Sequence, residues 1–362
     1  MKKHVTNMIK VNKLLLLFLA IITLGALESN AQTACTQTLR TARTKFDQGL
    51  IHEMEGLLEA CLKKGFTSQE RTEAYRLLIL SYIYLDETEK ADETMLALLK
   101  DNHNFAINPE ADPAELINLY NTFRTNPIFR IGGKMGANFS SANLVSTGGL
   151  NNLNIETSGN DIEYGPKLGF LLGVVADVPI NNLLTLNSEL GFSIVNFEST
   201  SNLYYNIDGN VASNNILLES QNWAGFQTML QVNPIKSKLN PYISIGGGVD
   251  YLITNQVTAT REVLNEQPVK ENTIDILEAR NKLNYYASAG IGIKSKFSNG
   301  VLFAEFRFKY GLANLSNSDE ILDVAPEYIF DYFGNYNNFS IVTAEFSVGY
   351  LVDIYKPKKL RE

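Results

Sequence analysis

Histidine is almost missing from this chain: there are three in 362 residues, and none lies beyond His103. That scarcity excludes a Ser–His–acid arrangement from the long C-terminal part, where a nucleophile would have no imidazole base. His52 and His103 lie in a helical segment, as exposed residues, and make no metal site between them. With two cysteines and no Cys/His cluster at ligand spacing, a zinc site is excluded too. There is no glycine-rich phosphate loop and no cofactor motif, so the chain is read as having no catalytic, cofactor or metal residues and as no enzyme. Beyond Leu27 no window stays apolar for about 18 residues, so no transmembrane helix is expected. Basic residues are also in short supply: 31 Lys and Arg stand against 39 Asp and Glu, a net charge of −8. Lys2, Lys3, Lys10, Lys13 and Glu28 give residues 1–31 a charge of +3, leaving −11 for the rest. Nucleic acid, bound by neutralising phosphates, is excluded as a partner.

The first residues do carry a pattern. Four lysines precede an apolar stretch from Leu14 to Leu27, too short to span a bilayer, and Ser29-Asn30-Ala31 is a small-x-small cleavage site. Residues 1–31 are therefore a predicted signal peptide. Polar residues follow at once, against an uncleaved anchor, and Gln32-Thr33-Ala34 before Cys35 is a poor lipobox. Export brings Cys35 and Cys61 into an oxidising compartment. Their midpoint falls in Asp47-Gln48-Gly49, the expected turn of a helical hairpin, which would set them side by side. A Cys35–Cys61 disulfide is predicted, the alternative being two unlinked thiols.

Residues 32–125 are rich in Leu, Ala, Glu and Lys at helical spacing. Helices are expected from Thr36 to Asp47, Ile51 to Lys64, Gln69 to Tyr84 and Thr88 to Asp101. A fifth opens at Asp112-Pro113, with Asp112 as N-cap, and ends near Phe123. Phe46-Asp47-Gln48-Gly49 recurs loosely as Tyr84-Leu85-Asp86-Glu87. The pattern resembles two tetratricopeptide-like helix-turn-helix units closed by a capping helix, with a plain helical bundle as the alternative. Leu77, Leu80, Tyr84, Leu96 and Leu99 are its expected core.

After Thr125-Asn126-Pro127 the period changes to two. Strands are expected near 129–139, 164–178, 183–197, 216–233, 241–253, 282–297, 301–312 and 338–354. The connections alternate between tight turns (179–182, 234–240, 298–300) and long loops (140–163, 198–215, 254–281, 313–337). Eight antiparallel strands joined in this way describe an outer-membrane barrel with short periplasmic turns and long outer loops. The expected fold is α + β multidomain: signal peptide 1–31, periplasmic helical-repeat domain 32–125, eight-stranded transmembrane barrel 126–355 and basic periplasmic tail 356–362. The expected location is the outer membrane, with the N-terminal domain and C-terminus in the periplasm.

The two faces of the strands decide what surrounds the barrel. Val342, Ala344, Phe346, Val348, Tyr350, Val352 and Ile354 make one uninterrupted apolar face, with Thr343, Glu345, Ser347, Gly349 and Asp353 between them. An apolar wall facing lipid puts the polar side in the lumen. The predicted lumen charges are Arg130, Lys134, Lys167, Asp177, Glu189, Asp250, Lys294, Glu305, Arg307, Lys309, Glu345 and Asp353. Their signs nearly balance, and eight strands leave room only for side chains, so a plugged barrel is expected. The alternative is a soluble lipocalin-like barrel with its charges outside. Trp223, the single tryptophan, either caps the lumen or lies in the rim. Asp319-Glu320 and Asp323 in the last loop are solvated carboxylates without the spacing of a calcium loop.

Ile131-Gly132-Gly133-Lys134-Met135-Gly136-Ala137-Asn138, Gly165-Pro166-Lys167-Leu168-Gly169 and Pro241-Tyr242-Ile243 with its glycine run carry a family likeness. Over residues 129–355 the chain resembles the PorT-like outer-membrane β-barrel family of Bacteroidota, related in architecture to small OmpA-type barrels. The resemblance implies outer-membrane residence and no catalytic residues, and some relatives take part in secretion or surface assembly. The leading functional reading is a non-enzymatic barrel, in contact with outer-membrane lipid, whose helical module at 32–125 binds a periplasmic protein. The runner-up is a narrow solute transporter or ligand-binding barrel. An enzyme acting on envelope lipid or glycan has the least support, since no nucleophile–base pair can be named.

Overall fold

The computed structural model describes residues 34–146, 162–205, 211–235, 238–263, 266–317, 321–332 and 337–360. The expected signal peptide and the pair Asp319-Glu320 lie outside these. The chain divides into two compact units: Met1–Asn126 with Tyr355–Glu362, and Pro127–Ile354.

In the first unit, α1 covers 34–47, α2 Met54–Lys63, α3 Ser68–Tyr84, α4 Thr88–Asp101 and α5 Ala114–Asn121. The second half of helix α3, Leu77 to Tyr82, is buried all round and organises the unit, as an apolar helical stretch should. Ala74, Leu77 and Leu78 meet Leu39 and Ala42 of α1 and Met54 and Leu58 of α2. Ile79 and Leu80 meet Met95, Leu98 and Leu99 of α4 and Leu116 of α5. A capping box starts α3: Thr67 N–H donates to Glu70 Oε2 at 3.0 Å and Glu70 N–H to Thr67 Oγ1 at 3.3 Å. Helices α1 and α3 end alike. Leu50 N–H donates to Lys45 O and Glu87 N–H to Tyr82 O, with Gly49 and Asp86 at positive φ. This Schellman-type turn suits Gly and tolerates Asp, which explains the repeat legible in the sequence.

Two details depart from expectation. Tyr84 is not core but 50% exposed, its ring 6.3 Å from that of Phe46. Asp112 does not cap α5: Pro113, in extended backbone (ψ 146°), is the N-cap, and Asp112 accepts Asn108 N–H at 2.6 Å and pairs with Arg76. The carboxylate is occupied upstream, so the helix starts one residue later. The C-terminal segment belongs to the same unit. Leu360 N–H donates to Thr122 O at 2.7 Å, Arg124 N–H to Lys358 O at 2.9 Å, and Tyr355 stacks on His103 with centroids 5.0 Å apart.

The second unit is a closed antiparallel ring of eight strands: β1 Phe129–Ser146, β2 Glu163–Pro179, β3 Leu184–Tyr205, β4 Val211–Val232, β5 Leu239–Val263, β7 Leu283–Phe297, β8 Gly300–Gly311 and β9 Asn338–Ile354. Strand β1 pairs with both β2 and β9, and this closes the ring. A ninth strand, β6 Val269–Asp275, pairs with the C-terminal part of β5, Gln256 to Arg261. The strands run further than their alternation suggested, taking in much of the expected loops at 140–163, 198–215 and 254–281. In β5 the ladder passes through a bulge opposite Asn222 and Trp223, where Leu252 and Thr254 pair and Ile253 is extra. The bulge re-phases the alternation, so a continuous strand reads as one that stops.

The barrel is inside out. Met135, Leu190, Ile245 and Ile291 point outward, 67, 64, 65 and 61% exposed. Asn138, Asp177, Glu189 and Arg307 point inward, 0, 0, 3 and 2% exposed. Water would make such a surface prohibitively costly over eight strands, whereas hydrocarbon favours it.

Candidate functional site in the barrel interior

Strand parity carries the interior. Lys134 on β1, Glu189 on β3, Gln227 on β4, Asp250 on β5 and Glu305, Arg307 and Lys309 on β8 all project inward at mid-height. The Arg307 guanidinium forks onto Glu189, Nη1 to Oε2 and Nη2 to Oε1, each 2.9 Å. It also donates to Glu305, Nε to Oε1 at 3.1 Å and Nη2 to Oε2 at 3.0 Å. Lys134 and Gln227 donate to Glu189 as well. Tyr242 and Ser244 hydroxyls, both from β5, donate to Glu305 at 2.9 Å each. Lys309 pairs with Glu345 at 2.8 Å. A planar guanidinium engaging two carboxylates at fixed angles ties β3 to β8 across the lumen.

Nearer the tight turns Lys294 donates to Asp177 and Gln231 at 2.5 Å each, Asn187 donates to Asp177 at 2.7 Å, and Arg130 pairs with Asp353 at 2.6 Å. Lys167 stands apart: its side chain is 42% exposed and pairs with Glu198 at 2.8 Å, away from the buried clusters. Asp250 faces the central cluster without an ion pair among the described residues.

Apolar clusters flank the mid-height ion pairs on both sides, with the Asp177–Lys294 and Arg130–Asp353 pairs lying beyond one of them. Val175, Phe303 and Leu351 pack together on the tight-turn side. On the loop side Val195, Phe197, Trp223, Leu252, Leu315 and Phe339 form a larger cluster. Of the two places open to Trp223, the structure gives the lumen cap: it is 2% exposed and its Nε1–H donates to Gln221 Oε1 at 3.0 Å. Among the described residues, adjoining cavities of about 30 and 20 Å³ border the interior and share Ser193, Asp250, Tyr286, Lys309 and Glu345. These are water-sized.

One buried pair was not foreseen. Arg280, just before β7, donates to Glu219 on β4, Nε to Oε1 at 2.9 Å and Nη2 to Oε2 at 2.8 Å, with both side chains at most 6% exposed. Asn255 and Gln221 complete the carboxylate's partners at 2.8 Å each, and the guanidinium lies over Phe339, 5.0 Å from its centroid. Outside it, α6 (Ile321–Val324) and α7 (Pro326–Phe330) cover the loop end, packing Ile321, Ala325 and Tyr328 against Leu217, Val257 and Ala259. The signal for Glu219 was its place in the same inward phase as Gln221 and Trp223. Nothing local marked Arg280, which lies in a connection.

In the helical unit Cys35 and Cys61 form a disulfide, Cα atoms 5.6 Å apart. Among the described residues no group of three or more His, Cys, Asp or Glu is placed to hold a metal ion.

Among solved structures the chain is similar to Neisserial surface protein A, at 12% identity over 62% of this chain and 97% of that one (TM-score 0.26). It is also similar to the outer membrane protein OprG from Pseudomonas aeruginosa, at 11% over 64% and 97% (TM-score 0.30). A third likeness is to the outer membrane protease OmpT from Escherichia coli, at 8% over 62% and 96% (TM-score 0.29). No curated protein sequence matches. The family described as outer membrane protein beta-barrel domain matches residues 120–317, more than half of the 362 residues. The inward charges, the lipid-facing wall and that match agree: the chain belongs to the outer membrane protein beta-barrel domain family and is an outer-membrane β-barrel protein.

Proposed function

We propose that this protein is a non-enzymatic anchor whose plugged barrel fixes a helical protein-binding module at the periplasmic face of the outer membrane, within an export or envelope-assembly complex. The observation that carries the reading is the filled interior. Ion pairs cross-link it at mid-height, Val175, Phe303 and Leu351 pack on one side of them with the Asp177 and Asp353 pairs beyond, and the Trp223 cluster packs on the other. A barrel packed this way offers a solute no path. Connection length supports the orientation: 180–183, 233–238 and 298–299 are short and lie at the end where the barrel chain enters and leaves, and short connections are periplasmic in such barrels. Two similarly terminated helices, α1 and α3, support the tetratricopeptide-like reading of the module and a peptide-sized partner surface. The PorT-like resemblance supports the secretion context.

The test is co-purification from detergent-solubilised outer membrane with the full chain and with a chain lacking residues 32–125. Partners are expected with the first and lost with the second; partners retained unchanged by the deletion overturn the module's role. Planar-bilayer recording addresses the transporter alternative. The full chain is expected to give no stable conductance, and channels sensitive to Glu345→Gln would favour transport instead.

A further inference from the structure

All but one of the predicted lumen charges have an ion-pair partner. At mid-height three cations, Lys134, Arg307 and Lys309, face four carboxylates, Glu189, Glu305, Glu345 and Asp250. The other pairs, Lys294–Asp177, Arg130–Asp353 and Lys167–Glu198, balance one to one. Asp250 is the surplus: among the described residues no cation lies within ion-pair distance of it. Its Oδ1 occupies the space a side chain on Gly225 would need, 1.8 Å from that glycine's ideal Cβ position. It borders both interior cavities.

A second observation falls at the same spot. Asn284, the register partner of Asp250 on β7, lines one of those cavities, is 7% exposed, and its Oδ1 accepts no hydrogen bond from the described residues. A surplus carboxylate whose donor is the neutral Tyr286 hydroxyl and an unpartnered carbonyl oxygen, register partners beside one cavity, leave a negative charge there without a countercharge. The cavities are large enough for a water-sized species and too small for an organic solute.

We propose that this cavity binds one monovalent positive charge, either a sodium-sized cation held by Asp250 and Asn284 or a proton on the Asp250 carboxyl, and that the bound charge makes the barrel interior neutral. The charged and titratable groups facing Asp250 are Lys134 from β1, Glu189 from β3, Tyr286 from β7, Lys309 from β8 and Glu345 from β9. Gln227 and Gly225 of β4 add no charge.

Trp223 supplies the assay, because the chain's single tryptophan lines the same cavity. The purified full chain is titrated in detergent, first with sodium chloride replacing N-methylglucamine chloride at constant ionic strength and neutral pH, then with acid and base at fixed sodium. A bound cation gives a saturable shift of Trp223 emission with sodium and raises the unfolding midpoint by about 3–5 °C per tenfold increase in sodium above the dissociation constant. A bound proton gives no sodium response and one single-proton step in emission. Asp250→Asn abolishes whichever response the wild type shows. Asn284→Ala, which keeps the carboxylate, weakens a sodium response by about tenfold or more and spares a proton step. A wild type that responds to neither titrant overturns the proposal, as does an Asp250→Asn variant that responds as the wild type does. Should that variant fail to fold, the wild-type titrations decide alone.

Discussion

Replacing Arg280 by Met strips the buried Glu219 carboxylate of its cation and leaves only the amides of Asn255 and Gln221 around it. At 2.8 Å and an effective dielectric near 20 the attraction is about 6 kcal/mol. Withdrawing both ions from water costs several kcal/mol each, so the pair itself contributes little net stability relative to an apolar pair. Breaking it is another matter, because one charge stays buried and unpaired. Arg280→Met is expected to destabilise the barrel by about 3–5 kcal/mol, and Glu219→Gln by a similar amount. The double variant should cost far less than the two together, with a coupling energy of about 2 kcal/mol or more. The stacking of Arg280 on Phe339 is lost with Arg280→Met whether or not Glu219→Gln is present, so it cancels from the cycle. Denaturant unfolding in lipid vesicles, followed by Trp223 emission, reads all four proteins. Added salt should change the coupling little, since the pair is shielded from solvent. Strict additivity of the two single losses would refute the pairing argument.

Three further outcomes follow from other parts of the molecule. The Glu70 carboxyl is held below its ordinary value of 4.5 first by the Thr36 hydroxyl, at 2.6 Å, and then by Thr67 N–H. A folded value below the unfolded one gives stability that is complete above pH 4.5 and lost as pH falls below it, so the helical unit should loosen on acidification, less so in Glu70→Gln; Thr67→Ala should cost about 1 kcal/mol by circular dichroism melting. Reducing Cys35–Cys61, which closes a loop with a sequence separation of 26, should cost the helical unit about 3.5 kcal/mol, seen as a lower melting transition with dithiothreitol and none in Cys35→Ser/Cys61→Ser. A methyl on Gly132 would lie 1.8 Å from Tyr350 O across the closing β1–β9 seam, whereas Gly133 has its nearest atom at 3.7 Å; Gly132→Ala should cost about 1–3 kcal/mol and deplete the heat-modifiable band on a gel, with Gly133→Ala as the silent control.

The barrel was legible because hydrocarbon outside and ion pairs inside impose opposite demands on alternate residues. Met135 beside Lys134 and Phe306 beside Arg307 cannot both face water, so the phase of each strand was readable without partners. Legibility failed where that contrast weakens. Past Ile253 the inward residues become Val257 and Ala259 under the loop-end cover, and the bulge shifts the count by one, so the pattern reads as noise. Lys167 shared the inward phase on paper, but the irregularity between Pro166 and Phe170 and the nearby Glu198 take it out of the buried clusters. Arg280 was invisible for a different reason: its partner Glu219 is distant in sequence, and no periodicity links a connection to a strand. In the helical unit, apolar spacing located α1 to α4 and the Asp112-Pro113 signal α5, whereas the N-cap of α5 depended on where one carboxylate spends its lone pairs.

The pairing of 358–360 with 122–124 has a bearing on biogenesis and on handling. A module whose five helices are made first still lacks its final piece until the ribosome has passed every strand of the barrel. A premature stop codon within the barrel, or trimming of residues 358–360, would therefore be felt in the helical unit, which stands far from them on the linear map.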